Sequence, residues 1–230
     1  MRLSAFGSVA GLAREFGTLA AALPAEGWVV VNGDAPALVD LLRRTCVRVL
    51  TFGVGSHCDL RAEALQYALD GTRMRLFYRS VSVDAVIPLI GELAIGAALA
   101  AVGVALACGM PLERAAERLA LVEPPAGRLR PHPARGGAIV IDDTVGAEPA
   151  AMLAALQTLA TLPAQRRIAV LGDLPADSSI PGEQNDVYTT IGTLAARTAD
   201  VLIWKGDAGT RLMRAVRRVQ RHLSVWLPDG

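Results

Sequence analysis

"GWVVVNGDAPALVDLLRRTCVRVLTFG", residues 27 to 53, contains a complete structural unit. The apolar run Trp28 to Val31 ends in turn residues, Asn32, Gly33, Asp34 and Pro36, which marks a buried strand and its exit. "ALVDLLRRT" is helical, and "VRVLTFG", 47 to 53, is a second strand. Strand, helix, strand over so short a span predicts a parallel pair joined by a right-handed crossover. The chain is therefore read as α/β.

Upstream, residues 7 to 23 have helical periodicity and stop at Leu23-Pro24. Downstream, Asp70-Gly71 in "LRAEALQYALDGTRMRLFYRS" is a hairpin signal between two strands. An Ala-rich helix over 92–108 follows, then "PLERAAERLALV" with Pro111 at its start, where a missing N–H costs nothing. "EPPAGRLRPHPARGG", 123 to 137, reads as a linker or domain boundary. The division is placed at 1–134 and 135–230. Beyond it, strands at 138–142, 167–171, 201–205 and 223–227 alternate with helices at 147–160, 184–197 and 209–220. That alternation predicts an open parallel sheet with helices on both faces. The polar loop "DLPADSSIPGEQND", 173 to 186, lies at a strand's carboxyl end, where such sheets bind ligands.

The 230 residues carry a net charge of +1, so nucleic acid is not expected as a partner, because phosphate binding needs a basic surplus. Arg214, Arg217, Arg218 and Arg221 fall at helical spacings and read as a solvated face. Cys46, Cys58 and Cys108 form no C-x-x-C pair, and the three histidines do not cluster with them. No zinc site or disulfide framework is expected, and the chain reads as a reduced, cytoplasmic protein. No signal peptide is visible. The uncharged stretch 93–108 is shorter than the roughly 20 residues a membrane span needs, so it reads as a buried helix.

Neither glycine-rich phosphate cradle occurs in the sequence, and there is no Gly-x-Ser-x-Gly elbow. "GVGSH", 53 to 57, follows a strand but opens no convincing helix. The best site candidates are Asp142 and Asp143, paired acids ending a strand in "IVIDDTVGAEPAAM". Either they contact a nucleotide, or one caps the next helix and the other is solvated. Arg128 in "AGRLR" is a candidate phosphate or ribose contact. Lys205 in "WKGDAGTR" precedes a helix start, which attracts anions. Asp173, ending "VLGD", faces the same rim. No catalytic residue and no metal ligand is assigned.

In order along the chain, these stretches resemble the Mur ligases. "FGS" with "LPAEGWVVVNGDAP", then "TFGVGSHCDLRAE", "LDGTRMRL" and "PLIGELAIGAALAAVGVALACGMPLE", look like the family's middle domain. "GRLR", "IVIDDTVGAEPAAMLAAL", "RRIAVLGDL" and "ADVLIWKGDAGTRLMRAV" look like its C-terminal domain. The resemblance implies a truncated middle domain followed by a small Rossmann-like domain with a mainly parallel sheet. It also implies an ATP- and magnesium-dependent ligase fold, in which the arginine and one acid (here Arg128 and Asp142 or Asp143) contact the nucleotide.

Several family positions are altered. Met1 falls just after the place of the family's P-loop, and the UDP-binding N-terminal domain is missing as well. The family's magnesium-binding Glu aligns with Ala10, a Lys with Phe16, a His with Leu93 and an adenine-contacting Asn with Ala97. Tyr-Asn of the acidic element has become Val145-Gly146, and the serine of Lys-Gly-Ser is Asp207. The Glu-Leu-Gly after Gly-Asp-Met is not recognisable in "PADSSIPG", and one strand–helix unit near the C-terminus looks deleted. The expectation is a homologue without independent ligase activity that binds or scaffolds, needing no cofactor alone, with Arg128, Asp142, Asp143 and Lys205 as vestiges of a nucleotide site. The alternatives are a ligase completed in trans by a P-loop partner and a small nucleotide-binding module. The expected partner is a second copy in a dimer, or a complete Mur ligase.

Overall fold

Alternation along "WVVVN" divides the first strand between two layers of helix. The structure, a computed structural model, describes residues 8–44, 47–146, 148–175, 186–220 and 224–226. It separates into two compact units, with the chain leaving the first after Glu123.

In the first unit, β1 (Trp28–Asn32) pairs in parallel with β2 (Arg48–Gly53), Val29 beside Val49 and Val31 beside Thr51. Val29, Val31, Val47 and Val49 pack with Ala20 of α1 (Val9–Ala21) and with Val39 and Leu42 of α2 (Pro36–Leu42). Ser8 caps α1 by accepting a hydrogen bond from the Gly11 N–H at 3.0 Å, and Pro36 opens α2. Val30 points the other way, at α3 (Glu92–Ala107). A Cβ at Gly103 would lie 2.6 Å from Val30 Cγ1, so only glycine lets this helix approach so closely.

The sheet continues in the order β1-β2-β3-β4-β5, with β3 (Leu60–Ala68), β4 (Gly71–Tyr78) and β5 (Val81–Ile87). The Asp70-Gly71 turn joins β3 to β4 as its sequence predicts. Gly71 has φ +139° and sits against the Ile87 carbonyl. β4 and β5 are antiparallel, with Arg75 directly opposite Asp84 and bonded to it at 2.9 Å. α4 (Leu112–Leu119) buries Leu112, Ala115, Ala116 and Leu119, the i, i+3, i+4, i+7 stripe of an amphipathic helix.

The second unit differs from the sequence reading, beginning with its first strand. Part of the stretch read as linker is a strand, β6 (Arg130–Pro133), antiparallel to β7 (Ile139–Asp142) across a tight turn at Arg135–Gly137. Thus 138–142 is a strand, as expected, but among the described residues it pairs in this ribbon and not in the parallel sheet. Pro131 and Pro133 cannot donate to a ladder, which suits them to a two-stranded edge. Ile139 and Val140 are exposed, unlike a strand sandwiched between helices.

The parallel sheet consists of β8 (Ile168–Gly172), β9 (Val201–Lys205) and β10 (Ser224–Trp226), in the order β10-β9-β8. With it go α5 (Pro149–Thr161), α6 (Val187–Thr198) and α7 (Gly209–Val219). Their core is Leu156, Ile191, Ala195, Leu202, Trp204, Leu212 and Val216, all nearly inaccessible. Tyr188 meets Trp204 edge-on, with ring centres 5.6 Å apart. β9 is buried along most of its length, but β8 turns Ile168 and Val170 to solvent. Among the described residues, helices therefore do not cover both faces at this edge. Arg214, Arg217 and Arg218 are exposed on α7, as read; Arg221 and most of the 173–186 loop lie outside the described residues. No helix among the described residues is long and apolar enough to cross a membrane.

Candidate functional site

Asp142 is the last residue of β7, and its carboxylate closes a local turn. Oδ1 accepts the Thr144 hydroxyl at 2.7 Å and the Thr144 N–H at 3.1 Å. His132 Nε2 lies 4.0 Å from Oδ2. The Thr144 hydroxyl, then its N–H, and more weakly His132, hold the Asp142 carboxyl below the usual carboxylate range.

Asp143 is half-buried and reaches back to the preceding loop, where Oδ1 accepts the Leu129 N–H at 3.1 Å. Burial pushes its carboxyl up, against the opposing pull of that N–H and of Arg128. Gly127 and Leu129, at φ +67° and +48°, both have left-handed backbone, and the Val145 N–H closes onto the Gly127 carbonyl at 2.9 Å. The guanidinium of Arg128 rests on Gly146, where a Cβ would lie 2.7 Å from both terminal nitrogens. Gly146 therefore makes room for the arginine.

The structure thus brings Arg128, Asp142 and Asp143 together. It shows the two acids shaping turns, and neither caps α5, whose N-cap residue is Glu148 with no side-chain cap bond.

Lys205 stands exposed at the end of β9 opposite Gly172. Among the described residues no hydrogen bond or ion pair links it to the Arg128 group. The helix start beyond it, read as an anion site, already has its anion. Asp173 accepts from the Asp207 N–H at 2.6 Å, the Ala208 N–H at 3.1 Å and Trp204 Nε1 at 3.2 Å. A carboxylate of the chain itself fills the position that attracts anions at a helix N-terminus.

A further convergence lies at the carboxyl ends of β1 and β2, where the sequence reading placed no site. Asp34 accepts from the Val54 N–H at 3.1 Å and the Gly55 N–H at 3.2 Å, one on each oxygen. His57 Nε2 sits 2.9 Å from the Gly33 carbonyl. Cys58 is buried, and its thiol is pushed up, first by burial and then by the charge of Asp34. Donor atoms of Asp34, His57 and Cys58 all lie within 4.8 Å of one another. His57 therefore does cluster with a cysteine, Cys58, contrary to the expectation from sequence. No motif spacing announces the group; parallel pairing of β1 with β2 assembles it.

Residues 3–105 match the Mur ligase middle domain, and residues 127–226 match the Mur ligase glutamate ligase domain. The chain belongs to the Mur ligase family. It is 30% identical over 204 residues to the UDP-N-acetylmuramoyl-tripeptide–D-alanyl-D-alanine ligase of Escherichia coli K12, covering 86% of this chain and 43% of that protein. The ligase of the same name from Mycobacterium tuberculosis H37Rv is 31% identical over 202 residues, covering 85% of this chain and 39% of its own length. Among solved structures, MurF from Acinetobacter baumannii superposes with TM-score 0.77 at 22% identity, over 97% of this chain and 48% of that one. MurF from Thermotoga maritima, solved in complex with ADP, superposes with TM-score 0.75 at 15% identity, over 98% and 49%. This Mur ligase homologue spans less than half the length of those two enzymes.

The positions that the resemblance reads as altered lie on the surface. Ala10 and Ala97 are exposed, Phe16 is 37% exposed and Leu93 is 56% exposed. A methyl or isobutyl group has no lone pair for magnesium and no partner for an adenine. At the positions that the resemblance assigns to magnesium and adenine contacts, these residues offer no ligand atom, and no step through ATP or magnesium is derived from them.

Proposed function

We propose that this Mur ligase homologue does not catalyse ligation by itself and acts as a binding or scaffolding member of the family in peptidoglycan-precursor synthesis. The observation that carries this reading is the exposure of Ala10, Phe16, Leu93 and Ala97. Core packing does not demand apolar side chains there, so polar ligands would be tolerated if selection required them. Electrostatic stabilisation supplies most of the rate in acyl and phosphoryl transfer, and apolar groups supply none. Purified chain is expected to release no ADP above background with ATP, magnesium, a UDP-muramoyl tripeptide and D-alanyl-D-alanine. Turnover that scales with its concentration would remove the proposal.

A retained nucleotide contact is the second reading, supported by the proximity of Arg128 to Asp143. Calorimetry with ADP would register it, and Arg128→Ala should abolish the signal.

The proposed partner is a second copy or a complete Mur ligase. Among the described residues β1 is an edge of its sheet, a valine-rich strand whose outer ladder has no strand beside it. Light scattering at micromolar concentration should give twice the chain mass; a monomer alone, with no complex on adding a complete ligase, would contradict it.

A further inference from the structure

We propose that Asp34, His57 and Cys58 form a three-ligand site for a thiophilic divalent cation, zinc(II) by its donor set, at the carboxyl ends of β1 and β2. The inference stands independently of the proposed loss of ligase activity.

The carboxylate of Asp34 lies at the centre of the group. A Cβ on Gly53 would lie 2.4 Å from Asp34 Oδ2 and 2.9 Å from Cys58 Sγ; one on Gly55 would lie 2.7 Å from His57 Nδ1 and 2.9 Å from Asp34 Oδ1. One carboxylate oxygen thus shares the space over Gly53 with the sulfur, and the other shares the space over Gly55 with the imidazole. Gly33 closes the third side, since a Cβ there would lie 2.5 Å from Cys58 Sγ. Side chains at these glycines would fill the volume in which the three donors meet.

The outer contacts are those of a ligand set. His57 Nε2, 2.9 Å from the Gly33 carbonyl, must donate, because a carbonyl only accepts. That fixes the tautomer and leaves a lone pair on Nδ1, the nitrogen that shares the space over Gly55 with Asp34 Oδ1. Metal-bound histidines are commonly oriented by such a bond, and ligating carboxylates by backbone donors, here the Val54 and Gly55 N–H groups. Asp34 keeps further lone pairs on both oxygens.

Sulfur, imidazole and a single carboxylate match zinc, whereas magnesium and calcium take oxygen. Zinc bonds of about 2.0–2.3 Å put tetrahedral donors about 3.3–3.8 Å apart, so donors now within 4.8 Å of one another need to draw in by about 1 Å. Asp34 and His57 are exposed and Cys58 is buried, which leaves a solvent-facing fourth position for water. On binding, the Cys58 S–H bond breaks, its electron pair forms the S–Zn bond and the proton goes to solvent.

Cobalt(II) reports on this site because a cobalt–thiolate bond produces a charge-transfer absorption. The intact chain, freed of metal with a chelator, is expected to take up one cobalt per chain with that band, and zinc should bleach it stoichiometrically. Excess magnesium should leave it unchanged. Cys58→Ser should abolish the band, and His57→Gln should weaken cobalt binding at least about tenfold. A Cys46→Ser, Cys108→Ser double variant should retain it. Circular dichroism checks that each variant is folded, and exposed His57 provides a test that does not disturb the core. Absence of the band, its persistence in folded Cys58→Ser, or unchanged affinity in His57→Gln would overturn the proposal.

Discussion

Carboxylates at three of the strand ends in this chain have three different fates. Asp173, after β8, is held by three donors: two helix-start N–H groups and the Trp204 indole converge on it. Asp142 and Asp143, after β7, are divided between a local turn and the Leu129 N–H. Asp34, after β1, is held by two N–H groups yet still shares its space with a thiol and an imidazole. A strand-end acid is thus a structural anchor or a ligand according to the donors around it, and its own sequence context does not distinguish the two.

Removing each acid tests that ranking. Asp173→Ala should cost the most, about 3 kcal/mol, because hydrogen bonds to a charged acceptor contribute about 1.5–3 kcal/mol each and buried donors are left unpaired. The check is the denaturant midpoint of the C-terminal unit. A loss no larger than that of Asp34→Ala would break the comparison.

Asp34→Ala should cost about 2 kcal/mol, since water partly replaces the carboxylate at the exposed Val54 and Gly55 N–H groups. Gly146→Ala should cost about 1 kcal/mol, because its left-handed φ of +82° penalises a Cβ. It should also displace Arg128, seen as a shifted guanidinium resonance; an unmoved Arg128 would separate the arginine from the acidic turn.

The smallest effect is a pH dependence of opposite sign at neighbouring residues. Asp143 titrates above its ordinary value of 3.8 in the folded chain. Its charge therefore lowers stability as pH rises from 3.8 through the folded value. Asp143→Asn should gain on the parent across that window, and the gain should vanish below it. Asp142 titrates below 3.8. Its contribution is complete above 3.8 and is lost as pH falls through the lower folded value, so Asp142→Asn should be the less stable variant at neutral pH and converge with the parent in acid. Urea titrations over about pH 3 to 7 distinguish the two; slopes of the same sign would erase the contrast.

Much of the fold is legible locally. The valine run with Gly33 and Pro36, the Asp70-Gly71 turn and the Leu112, Ala115, Ala116, Leu119 stripe each encode an element within a few residues. The ordered stretches also carry the family. β6 was not legible, because Pro131 and Pro133 read as breakers when a two-stranded ribbon tolerates them. The α7 start looked open because the acid that fills it comes from another strand.

The sequence by itself determined most of the elements and the family, since these depend on residue type and order. Only the tertiary structure decided that Asp173 is spent, that Gly146 seats Arg128 and that Asp34 meets His57 and Cys58. The physical reason is that a polar side chain's role depends on which donors and acceptors surround it. For these three groups most of those partners lie on other turns and strands, brought near by parallel pairing and glycine-permitted close approach.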